Sequence, residues 1–126
     1  MLSASVVVIF EFTDFDENVR SIDRELFNAA AAGDAADVEK FMSQGANVNV
    51  QERRGKLSVL HIVAARNAVP ALRALIKSDA LDYTALDAQG RSAANLAIEV
   101  ADNRVVGRFL YDKMAWQLDQ RGLQPA

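Results

Sequence analysis

The stretch GDAADVEKFMSQGANVNVQERRGKLSVLHIVAA, residues 33–65, contains one helix, a loop and the start of a second helix. Val38, Phe41 and Met42 stand at the i, i+3, i+4 spacing of a helix with a single buried stripe. Asp34 precedes that stripe as an acceptor able to cap free amides, and Gly45 follows it as a stop. Residues 47–56, NVNVQERRGK, are polar turn formers flanked by residues that can run extended, which predicts a hairpin-like loop. Ser58 can then cap a short second helix rich in small residues.

Working outward, the same pattern returns every 34 residues. Leu26, Leu60 and Ala94 form one apolar column, and Ala30, Ala64 and Ile98 another. Val38, Leu72 and Val106, then Phe41, Leu75 and Phe109, then Met42, Ile76 and Leu110 complete five columns in one register. Each unit therefore predicts an inner helix of small residues (LFNAAAAG, LHIVAARN, ANLAIEVA) and an outer helix with one apolar stripe. Asp102 and Ser92 supply further expected caps, and Pro70 suits a first helical turn. Residues 81–91, LDYTALDAQGR, form the second expected hairpin. Met114 and Leu118 continue the last stripe, so the final helix is expected to run past Leu110 until Gly122 and to cap the stack.

GDAADVEKFMSQGANVN, SVLHIVAA and DAQGRSAANLAIE resemble the ankyrin repeat, whose signature pairs a T-P-L-H-x-A inner helix with a G-A-x-x-N hairpin entry. The resemblance covers residues 25 to about 112, roughly three repeats. A 34-residue period is also the tetratricopeptide length, but the W-x-x-L-G-x-x-Y pattern is missing, and one extra hairpin residue per unit accounts for the ankyrin phase. The TPLH block reads Ser58, Val59, Leu60, His61 and then Ser92, Ala93, Ala94, Asn95. The glycine that ends the inner helix is Asn67, then Ala101; Asn tolerates the left-handed conformation and Ala resists it, so the third internal turn is expected to be irregular. The resemblance implies an all-α solenoid of three helix-turn-helix repeats, residues 21–121 (about 25–52, 53–86 and 87–121), preceded by an extended arm at 1–20 and followed by a tail at 122–126.

The 126 residues suit one domain. Hydrophobic residues make up 51%, but 22 are Ala, which favours closely packed helices over sheets. With no Cys and only His61, cysteine chemistry and most zinc sites are excluded, and no phosphate-cradling glycine loop or G-x-S-x-G elbow is present. No catalytic residue, metal or cofactor is expected. The resemblance gives His61 a structural place in the network between adjacent turns. No apolar run reaches the roughly 18 residues that span a membrane, and the start lacks a basic n-region, so a cytoplasmic protein is expected.

Outside the repeats, residues 6–12 are β-branched and aromatic, and read as a strand or extended arm covering the first repeat. The alternative is self-association through residues 5–12, giving a homo-oligomeric structural protein. Asp14, Asp16, Asn18 and Glu25 match positions 1, 3, 5 and 12 of an EF-hand-like loop, but Val19 replaces the required Gly, leaving a weak calcium-responsive module as a further alternative. A basic cluster is the more informative signal. Arg53, Arg54, Lys56, Arg66 and Arg91 stand out in a chain of net charge −3, too acidic overall and too poor in interleaved aromatics for nucleic acid. On the ankyrin register these residues, with Tyr83, Gln89 and Glu99, fall on hairpins and inner-helix ends, the surfaces with which the family binds partners. The expectation is a non-catalytic protein-binding module, an inhibitor, antidote or adaptor, whose partner presents an acidic surface. Trp116 is expected to serve as a cap residue.

Overall fold

The computed structural model describes residues 12–122, which contain six helices: α1 (Ser21–Ala31), α2 (Ala35–Ser43), α3 (Val59–Ala65), α4 (Val69–Leu75), α5 (Ala93–Glu99) and α6 (Arg104–Gln120). They pair as α1 with α2, α3 with α4 and α5 with α6. The inner helices α1, α3 and α5 pack side by side, and α2 packs on α4 behind them. Leu26, Ala30, Leu60, Ala64, Ala94 and Ala97 are buried along the inner layer, where small side chains let helices approach closely. Val38, Leu72 and Leu75 are buried from the outer layer. The expected three-unit all-α solenoid is the observed architecture.

The caps explain where the inner helices start. Ser58 and Ser92 each accept the amide of the residue three positions on, and His61 and Asn95 reach back to the serine amides, closing two capping boxes. Each cap contributes about 1 kcal/mol. Asp34 caps α2 through the Asp37 amide, Pro70 lies in the first turn of α4, and Gly45 follows α2 at φ +90°. Among the described residues the hairpins carry a single isolated antiparallel bridge, Gln51 to Ser58.

The third unit departs from the 34-residue register. Gly33 and Asn67 hold the left-handed position in the first two internal turns, but in the third that position falls to Asp102 (φ +53°), one residue beyond Ala101. The Cβ of Ala opposes left-handed backbone more than Asp does, since an Asp side chain can hydrogen-bond locally. The turn lengthens by one residue, so Asn103 caps α6 through the Val106 amide where Asp102 was expected. A one-residue shift rotates a helix by about 100°. Gly107 and Leu110 become the buried residues of α6, while Val106 and Phe109 are only half-buried against the core. Gly107 permits the approach of α5: a Cβ there would collide with the Ile98 side chain. Trp116, nine residues on and thus on the opposite side of the helix, is 62% exposed and does not act as the expected cap residue. α6 does continue to Gln120, with Gly122 left-handed beyond it.

Residues 12–16 hold no helix or strand, yet Phe12 and Phe15 both pack edge-on against Phe27, at 5.1 and 5.3 Å between ring centroids. The rest of the expected N-terminal strand, residues 1–11, lies outside the described residues.

Candidate protein-binding surface

Two hairpin tips are built around buried carboxylates. Glu52 accepts the amides of Gly55 (3.0 Å) and Leu57 (2.9 Å). A Cβ at position 55 would lie 2.8 Å from Glu52 Oε2, so a side chain there would push aside the carboxylate that closes the loop. Asp87 repeats the device with the amides of Gln89 and Arg91, both at 2.9 Å, and with Arg91 Nε at 2.9 Å. Burial acts to raise the Asp87 carboxyl, but the hydrogen bonds from Arg91 and Gln89 and the Arg91 charge outweigh it and hold the group below its ordinary value. Asp23, at the start of α1, is likewise held down against burial by the Asn47 amide and by Arg20. Ala88 N–H donates to the Gly55 carbonyl at 2.8 Å, joining the two tips.

His61 locks the second tip to the inner layer. Its ring is fully buried; Nδ1 accepts the Ser58 amide and Nε2 donates to the Arg91 carbonyl at 2.8 Å. The tautomer is assigned from those partners. Burial drives the His61 pKa below its ordinary 6.5 despite the Arg91 carbonyl and the Asp87 charge, so the ring stays neutral near pH 7 and serves as structure.

On this scaffold Arg53, Arg54 and Lys56 share one exposed tip, with the Arg54 side chain 89% exposed, and Gln89 is exposed on the neighbouring tip. Glu99 is exposed at the end of α5. Three of the expected site residues stand differently. Arg91 is tied to the buried Asp87, so its side chain supports the hairpin. Arg66 donates to the Ala31 carbonyl at 2.6 Å and stacks over Phe12 at 5.7 Å. Tyr83 is only 8% exposed; its amide donates to Gln117 on α6, and it belongs to the core. The sequence register placed Tyr83 on a hairpin, but the long final helix covers that side of the loop.

Arm contacts were the part that repeat arithmetic missed. Asp14 accepts from Arg53 Nη2 at 3.0 Å and lies 3.7 Å from Arg54 Nε. That engagement removes Asp14 from the EF-hand-like set, and among the described residues no group of three or more His, Cys, Asp or Glu side chains could hold a metal ion. An acidic residue in an aromatic segment beside a basic tip was the available signal.

A family model for ankyrin repeats, three copies, matches residues 26–120. The chain belongs to the ankyrin-repeat family. Ankyrin repeats generally mediate protein–protein interaction and are typically non-catalytic. No curated protein matches this ankyrin chain. None of its described helices is long and apolar enough to cross a membrane.

Proposed function

We propose that this ankyrin module is a non-catalytic, cytoplasmic binding protein that grips an acidic surface of another protein through its hairpin tips and inner-helix ends. The observation that carries the reading is the first tip: Arg53, Arg54 and Lys56 project from a loop fixed by Glu52, inside a chain of net charge −3. A fixed loop presents its cations without a large ordering cost on binding, and arginine pairs with carboxylates through two parallel donors. Gln89 on the neighbouring tip and Glu99 at the end of α5 are taken as further contacts, and Arg66 contributes from the end of α3. An inhibitor or antidote that masks one partner's site is the first role considered, with adaptor as the second; one-to-one stoichiometry distinguishes the former.

With a partner isolated on the tagged chain, Arg54→Glu combined with Lys56→Glu is expected to weaken binding by about 2 kcal/mol or more. Added salt should slow association with the unmodified protein. Both side chains are exposed, so stability should change by only about 0.5 kcal/mol. Unchanged affinity in the double variant, measured by calorimetry, would reject the hairpin tip as the binding face. Arg91 is unsuited to this test because reversing its charge beside Asp87 would disturb the fold.

A further inference from the structure

The arm that enters the first repeat already behaves as a ligand of the basic face. Asn28 on α1 holds both main-chain groups of Phe12: Oδ1 accepts its N–H at 2.7 Å, and Nδ2 donates to its carbonyl at 3.0 Å. An amide side chain can offer this pairing to any extended backbone, whatever its side chains. The Phe12 ring stands edge-on to Phe27 and 5.7 Å beneath the Arg66 guanidinium. Two residues on, the Asp14 carbonyl accepts the Arg53 amide at 2.6 Å, and its carboxylate meets Arg53 Nε and Nη2 at 3.2 and 3.0 Å. Three cations of the proposed binding face, Arg53, Arg54 and Arg66, are thus met by two residues at i, i+2, with Asp14 at the centre of a tight turn that the Phe15 N–H closes on the Thr13 carbonyl.

We propose that this cradle recognises a partner segment carrying an aromatic residue and, two positions later, a carboxylate, and that Phe12 and Asp14 occupy it until such a segment displaces them. The inference rests on the reading of the hairpin face as a protein-binding surface and specifies the chemistry it takes. Phe15 is buried and tethers the arm, whereas Phe12 is half-buried and the Asp14 side chain is 36% exposed, so the forward part can lift while the tether holds. Exposed ion pairs and exposed cation–π contacts are individually weak, which keeps the self-contact displaceable.

The test uses fluorescence anisotropy with a labelled peptide of residues 11–18, EFTDFDEN, titrated with the full chain and with its Asp14→Ala variant. Vacating the carboxylate position should tighten peptide binding about fivefold, because a site occupied most of the time by its own arm binds with an affinity reduced by the open fraction. Adding Arg53→Ala and Arg54→Ala should abolish that gain, and a peptide with Ala in place of Phe12 and Asp14 should bind neither chain. Asp14→Ala leaves the buried Phe15 tether in place, and circular dichroism checks that it is folded; Phe12→Ala is the second vacating variant. A folded Asp14→Ala chain that binds the peptide no better than the full chain overturns the proposal, as does equal binding of the Ala-substituted peptide. Either failure leaves the hairpin-face reading to be judged by the Arg54→Glu, Lys56→Glu measurement on the isolated partner.

Discussion

Phe27→Ala is expected to lower folding stability by about 3–5 kcal/mol, the usual cost of truncating a fully buried aromatic. Phe27 is fully buried, and the rings of Phe12 and Phe15 both stand edge-on to it, so truncation opens a cavity between α1 and the arm. Edge-to-face pairs add about 0.5–1.5 kcal/mol beyond burial. Phe12 and Phe15 cover Phe27 on that side of α1. Thermal unfolding should show a drop of more than about 10 °C in a domain of this size. A loss under about 1 kcal/mol would mean that the arm does not pack on α1 as described.

His61→Ala has the second largest expected effect, about 2–4 kcal/mol. It removes the reciprocal half of the α3 capping box, leaves the buried Ser58 amide without its acceptor and cuts the link from α3 to the Arg91 carbonyl. His61→Asn is the informative partner variant, because Asn95 shows that asparagine closes the same box in α5. It should retain the cap, lose the reach to the second hairpin and cost less than the alanine change. The histidine also sets a pH dependence. Its folded pKa is lowered from 6.5, so the unfolded chain binds the proton more readily. The neutral ring's contribution is complete above about 6.5 and declines as pH falls below it. Asp23 and Asp87 also have lowered pKa values, and their contribution is lost only in stronger acid, below about 3.8. Urea midpoints between pH 7.5 and 5 should therefore fall for the unmodified protein and stay flat for His61→Ala. Parallel slopes in both proteins would contradict the buried, neutral histidine.

The repeat architecture was legible in the sequence because it is local: Ser58, Ser92, Asp34 and Pro70 mark helix starts, and the apolar columns mark the buried stripes. Even the irregular third turn could be anticipated from Ala101, since a Cβ resists left-handed backbone. Its consequence could not be anticipated, because one inserted residue turned α6, exposed Trp116 and gave Gly107 the contact with α5. Of the binding surface, the exposed tip of Arg53, Arg54 and Lys56 was readable from charge and register. Periodicity gave no sign that Arg91 and Arg66 are held by Asp87, the Ala31 carbonyl and Phe12, because those partners depend on how the hairpins and the arm fold over the helices. Tyr83 was misplaced for the same reason: Gln117, 34 residues away, closes over it.

The most direct measurement is backbone hydrogen exchange of the chain with and without its isolated partner. Binding through the hairpins and inner-helix ends predicts slowed exchange at residues 53–57 and 88–91 and at the ends of α3 and α5, with α2 and the outer side of α6 unchanged. Protection confined to α2, α4 or α6, with the hairpin amides unaffected, would contradict it.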